Sequence, residues 1–136
     1  MHKQLLCIGL VSLLFLAVGC GGNCGLKGKV VFSDDKTPLT QGEVCFVTDK
    51  DIARGPIDGN GNYVVSYIRK NDGLPRGTYR VYLTDTEINE PVPGRPAFNL
   101  IPQIDPKYGS PDTSGLVLEV KRSMTWDIEV DRYGAK

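Results

Sequence analysis

Apolar residues follow two patterns along this chain. From Leu5 to Val18 they are almost continuous, broken only by Gly9 and Ser12. Beyond residue 25 they alternate with polar residues, the period-two rhythm of half-buried strands. Leu116, Leu118 and Val120 share one side, with Val117, Glu119 and Lys121 opposite. Trp126, Ile128 and Val130 alternate in the same way with Asp127, Glu129 and Asp131. Tyr79, Val81 and Leu83 alternate with Arg80 and Tyr82. Strands are predicted over 26–32, 43–47, 53–57, 63–68, 78–84, 116–121 and 125–131. No segment keeps a 3.6-residue period, so no helix of consequence is predicted. Asp58-Gly59-Asn60-Gly61 favours a tight hairpin, because Gly and Asn tolerate positive φ. Short strands at this spacing imply an all-β, two-sheet sandwich. Its predicted core is Val30, Phe32, Val44, Phe46, Tyr63, Val65, Tyr79, Val81, Leu83, Leu116, Leu118, Trp126, Ile128 and Val130.

Residues 86–115 break the rhythm. They hold six of the chain's 9 prolines. Proline lacks the donor that a ladder needs, so no central strand is predicted there. Long loops in compact domains are usually functional or disordered. This stretch is therefore the predicted contact surface, with Arg95, Phe98, Lys107 and Tyr108 as its candidate contacts. Tyr82 and Tyr133 are further candidates for exposed aromatics.

The N-terminal apolar run is too short for a bilayer-spanning helix, which needs about 20 residues. It follows His2 and Lys3 and ends in Ala17-Val18-Gly19-Cys20-Gly21-Gly22, the form of a signal peptide. The segment resembles the lipobox of bacterial lipoproteins, with Ala17 where that motif usually has Leu. The resemblance implies cleavage before Cys20 and acylation of its thiol. Residues 1–19 are then the leader, 20–25 a lipidated tether and 26–133 one domain. Gly21 stands where Asp would favour inner-membrane retention, so the outer membrane is expected over the inner.

Composition narrows the chemistry. Lys and Arg total 16 and Asp and Glu 16. With no basic excess and no evident basic patch, no nucleic-acid partner is expected. The single histidine, His2, leaves with the leader, so Ser66, Ser110, Ser114 and Ser123 lack the usual base for a nucleophile. The pairs Asp34-Asp35 and Glu129/Asp131 read as soluble surface rather than carboxylates set across a glycosidase cleft. Asp58, Asn60 and Asn62 imitate a calcium loop. However, Tyr63 stands where such a loop needs Gly, and Arg69 where it needs Glu. No metal, cofactor or catalytic residue is expected. Once Cys7 departs and Cys20 is acylated, Cys24 and Cys45 remain, either bridged or as two free thiols.

Several short motifs occur in a known order. Gly28-Lys29-Val30-Val31-Phe32 precedes Thr37-Pro38-Leu39 and then Gly42-Glu43-Val44-Cys45-Phe46-Val47. Asp58 to Tyr63 and Pro75-Arg76-Gly77-Thr78-Tyr79 follow. Together they resemble the transthyretin-like or carboxypeptidase regulatory-like domain. Ile104 to Tyr108, followed by Pro111 to Leu116, resembles a signature of small bacterial lipoproteins carrying it. The resemblance implies a prealbumin-like sandwich of about seven strands. It also implies a non-catalytic, lipid-anchored envelope protein that acts as an interaction or structural module. The partner is then an envelope protein; a glycan partner, in a carbohydrate-binding module, is the alternative. Hydroxyisourate hydrolase shares that fold but relies on histidines and a C-terminal motif, neither of which this chain matches.

Overall fold

The computed structural model describes residues 22–135. The expected leader and Cys20 lie outside them. Ten strands and one 3-10 turn make up the domain. They are β1 (Leu26–Phe32), β2 (Glu43–Val47), β3 (Ile52–Pro56), β4 (Asn62–Val64) and β5 (Gly77–Thr84). Then come β6 (Ile88–Pro91), β7 (Phe98–Ile101), the 3-10 turn Pro106–Gly109, β8 (Leu116–Val120), β9 (Met124–Thr125) and β10 (Ile128–Val130).

Two four-stranded sheets form the sandwich. One runs β10-β1-β4, with β9 also on β1; the other runs β3-β2-β5-β8. Alternation places Val44 and Phe46 of β2, and Tyr79, Val81 and Leu83 of β5, in the shared core. Val30 of β1, Tyr63 of β4 and Ile128 and Val130 of β10 meet them from the other sheet. Phe46 is the cross-sheet hub. Its ring centroid lies 6.2 Å from Tyr63 and 6.1 Å from Trp126, with Tyr79 of its own sheet at 6.5 Å. Each such aromatic pair contributes about 0.5–1.5 kcal/mol beyond the area it buries.

The first and last strands pair in parallel. Leu26 and Lys27 sit opposite Met124 and Thr125, and Val30 to Phe32 sit opposite Ile128 to Val130, in one unbroken register. The expected strand over 125–131 is nonetheless interrupted at Trp126-Asp127. There Trp126 N donates to Lys27 O at 2.8 Å. Lys29 N donates to the Asp127 carboxylate at 3.0 Å, a side chain standing in for a ladder carbonyl. The Trp126 carbonyl accepts from Tyr63 Oη at 2.5 Å and presses on Gly28, where a Cβ would stand 1.8 Å from it. Only glycine leaves that space. The displaced segment leaves Trp126, like Leu116, only partly buried against the core both were expected to complete.

The hairpin at Asp58-Gly59-Asn60-Gly61 forms as predicted and joins β3 of one sheet to β4 of the other. The Asp58 carboxylate accepts from Asn60 N at 2.8 Å and Asn62 N at 2.9 Å, which is turn chemistry. Gly61 has φ +83°, and its carbonyl accepts from Val30 N at 2.9 Å. The strand expected over 63–68 stops at Val64. Asp72 then gathers the amides of Tyr67, Ile68 and Arg69 into a loop.

Gly28→Ala is expected to destabilise the domain by about 2–4 kcal/mol through overpacking at Trp126. Gly59→Ala, with nothing within 4 Å of the added carbon, is expected to shift stability by under about 0.5 kcal/mol. Urea denaturation midpoints of the two variants measure the difference.

Candidate interaction surface

Residues 86–115 carry no central strand, but they are not structureless. β6 and β7 form a separate two-stranded antiparallel hairpin, with Ile88 opposite Ile101, Asn89 opposite Leu100, Glu90 opposite Asn99 and Pro91 opposite Phe98. Its tip closes through Arg95 N donating to Val92 O at 3.2 Å and Val92 N donating to Ala97 O at 3.0 Å. Pro93 presets the turn and Gly94, at φ +75°, supplies the positive φ that a type II turn needs at its third residue. Side-chain amides fasten the base. Gln103 Nε2 donates to Thr86 O at 2.6 Å, and Gln41 Nε2 donates to Glu87 O.

All eight strand residues of the hairpin are exposed. Opposed residues share a face. One face therefore presents Phe98 and Leu100, 66% and 67% exposed, beside Asn89 and Pro91. The other presents Ile88 and Ile101 beside Glu90 and Asn99. A hairpin of two strands is marginal by itself in water, and contiguous exposed apolar surface marks interaction sites.

The expected contacts divide between two places. Arg95 lies at the hairpin tip and Phe98 on β7. Lys107 and Tyr108 belong instead to the 3-10 turn, fixed to the end of β10. Lys107 Nζ lies 2.9 Å from Asp131 and 5.0 Å above the Tyr108 ring. Tyr108 is only 6% exposed, and its hydroxyl donates to Asp131 at 3.2 Å. This corrects the grouping of Tyr108 with exposed contacts: its ring packs into the core and offers no face for stacking on a sugar. Tyr133 is exposed and Tyr82 half-buried. Ile88, Leu100 and Ile101 were not foreseen as contacts. The period-two spacing of Phe98 and Leu100 behind a Pro93-Gly94 turn is the signal that marks them.

Of the two alternatives left open for Cys24 and Cys45, the structure has no bridge: both thiols are free and buried. Cys24 joins the core between the sheets, while Cys45 points out of β2 between the core residues Val44 and Phe46. The second sheet therefore separates them. Cys45 lies opposite Arg54 and Tyr82 on the flanking strands, and burial pushes its thiol pKa up.

The remaining polar candidates are consumed by the fold. Ser114 Oγ donates to Val81 O, and Ser66, Ser110 and Ser123 accept from backbone amides of Asn71, Asp112 and Gly25. The acidic pairs each hold cations. Arg132 reaches Asp34 at 2.8 Å and Asp35 at 3.0 Å while its guanidinium lies 3.8 Å above the Phe32 ring. Lys36 pairs with Glu129 at 2.6 Å. The hydroxyl and amide of Thr37, then Arg132, hold the Asp35 carboxyl down at about 2. Lys107, Ser33 and Tyr108 hold Asp131 at about 2 as well. Among the described residues, no group of acidic, Cys or His side chains is arranged to hold a metal ion.

No family model and no curated protein matches the chain. Solved structures similar to it include a DUF3823 family protein from Bacteroides ovatus, at 17% identity and TM-score 0.48 over 82% of this chain. The major pilin subunit of Bacillus cereus is similar at 12% identity and TM-score 0.43 over 82% of this chain. A 9R-lipoxygenase from Cyanothece is similar at 17% identity and TM-score 0.36 over 80%. The chain spans 45%, 30% and 16% of those proteins' lengths.

Acid is expected to loosen the Asp131 and Asp35 junctions. Each carboxyl has a folded pKa near about 2 against an ordinary 3.8, so its contribution is complete above about pH 4 and lost as pH falls through about 2. Asp131→Asn is expected to lower Tm at neutral pH and to flatten its fall between about pH 4 and 2. Thermal melts across that range measure both effects.

Proposed function

We propose that the chain is a non-catalytic, lipid-anchored protein of the bacterial cell envelope. Its sandwich, transthyretin-like in the order of its motifs, acts through protein contacts made by the β6–β7 hairpin. The observation that carries this reading is the hairpin itself. It holds four large apolar side chains in water; Gln103 closes its base and Gln41 fastens that base to the body. A segment with no buried face of its own gains most when a partner covers it. The motif order is supported by Tyr63 and Tyr79. They are the tyrosines of the two quoted turn-and-strand motifs, and both bury their rings beside Phe46.

Anchoring is through acyl chains on Cys20, with the outer membrane favoured by Gly21. Each buried methylene contributes about 0.8 kcal/mol, and two or more chains make attachment stable. Cys20→Ser is expected to abolish acyl labelling and to leave the leader uncleaved by the lipoprotein peptidase. Normal labelling of that variant would exclude Cys20 as the attachment point.

The hairpin is tested by Phe98→Ser combined with Leu100→Ser. Both positions are solvent-exposed, so Tm is expected to stay within about 2–4 °C of the parent, the equivalent of roughly 1 kcal/mol or less. In-cell crosslinking is expected to lose the envelope proteins captured by the parent. Unchanged crosslinks would overturn the hairpin as the contact surface, and saturable glycan binding by the same variant would move the reading to carbohydrate recognition.

A further inference from the structure

The domain is electrically polarised along its strands. The end at which the chain enters is fixed by Cys24, whose amide and carbonyl bond Leu74 at 2.8 and 3.0 Å, and by Gly25 N donating to Ser123 Oγ at 2.9 Å. The loops 48–51, 65–76 and 121–123 meet there. They carry Lys50, Arg69, Lys70, Arg76, Lys121 and Arg122, all exposed. Asp49, Asp51, Asp72 and Glu119 share this end. Asp51 accepts from Tyr67 Oη, Asp72 is held by three backbone amides, and Glu119 lies 3.6 Å from Lys121 Nζ. Next to Arg69 and Lys70 stands Ile68, 78% exposed, which lines a shallow groove with Asn23, Arg69 and Asp72.

The opposite end reverses the sign. Asp34, Asp35, Asp58, Asp85, Asp105 and Asp131 lie there against Lys36, Lys107 and Arg132. The base of the β6–β7 hairpin, at Thr86 and Gln103, is on this acidic side.

We propose that the basic end, with Ile68 at its tip, docks on an anionic lipid bilayer, the same membrane that receives the acyl chains of Cys20. This rests on the lipid-anchored reading. Three residues separate Cys20 from the bonded Cys24, and the four extended steps between them reach at most about 14 Å. Cys24, bonded to Leu74 of the 65–76 loop, is thereby held within one to two screening lengths of the headgroups, about 8 Å each at physiological salt. Juxtamembrane Lys and Arg are drawn to anionic headgroups, and an exposed apolar side chain beside them inserts at the interface. The acidic end is repelled. The bilayer therefore orients the sandwich and points the hairpin away from the membrane.

The test uses the mature protein purified from its envelope, with the mass of its N-terminal peptide reporting acylation. Ile68→Trp is placed in phosphatidylcholine vesicles with brominated acyl chains, with and without phosphatidylglycerol. The parent, carrying only Trp126, sets the background. Extra quenching is expected in anionic vesicles. It should fall about twofold or more with Arg69→Gln and Lys70→Gln together, or at about 1 M salt, where the screening length drops to about 3 Å. Quenching no greater than the parent's, or equal with and without anionic lipid, would overturn the docking surface while leaving acylation standing. An N-terminal peptide without acyl mass would instead overturn the anchored reading. The surface is then judged by sedimentation of that unlipidated protein with anionic vesicles. Loss of sedimentation in the Arg69→Gln/Lys70→Gln variant supports docking, and no sedimentation of the parent refutes it.

Discussion

The parallel ladder between the first and last strands is the constraint on which the rest of the domain depends. It joins the first and last strands of the domain, in one register from Leu26–Met124 to Phe32–Val130. At its midpoint the backbone bond from Trp126 N to Lys27 O is supplemented by side chains. The Asp127 carboxylate takes the Lys29 amide, the Trp126 carbonyl takes the Tyr63 hydroxyl, and Gly28 makes room for that carbonyl. Three strands are thus locked at one point, where Trp126 also reaches the Phe46 ring of the opposite sheet. Burial pushes the Tyr63 hydroxyl pKa well above its ordinary value, as befits a neutral donor sealed inside. The two sheets are tied a second time by the Asp58–Gly61 hairpin, which passes the chain from β3 to β4.

Polar side chains then organise the two ends differently. At the acidic end, Arg132, Lys36 and Lys107 bind the loop after β1 and the 3-10 turn to the C-terminal segment. Each exposed pair contributes little by itself, but the network shares partners and sets loop positions. At the basic end, Asp51 is occupied by a tyrosine hydroxyl and Asp72 by backbone amides. Several cations are left facing solvent. The charges of the domain are therefore arranged as a dipole rather than as an even mixture. The hairpin rises from the acidic side, where the side-chain amides of Gln41 and Gln103 hydrogen-bond the carbonyls at its base.

Much of the sandwich was legible because alternation is a local property. β1 and β2 match their expected spans, and β5 and β8 differ by one residue at an end. Twelve of the fourteen expected core residues are buried, since inward positions on a strand follow directly from period two. Leu39, Leu74 and Ile104 are also buried, but they lie in connections where no period announces them. The hairpin over 88–101 was hidden by its prolines. Proline excludes a central strand, yet a detached pair has solvent on both edges and tolerates it. Tyr108 was misplaced for a related reason: its environment is made by Asp131 and Lys107, contributed by a distant strand end and by the turn itself.

The chain by itself determined an all-β architecture, the principal turns and most of the core, because each depends on residues a few positions apart. The tertiary structure alone decided the parallel closure of β1 on β9 and β10, the separation of Cys24 from Cys45 by a sheet and the exposure of the hairpin. It also decided the division of charge between the two ends. These features depend on which side chains distant segments bring together. Periodicity says which face of a strand turns inward, and says nothing of what lies across from it.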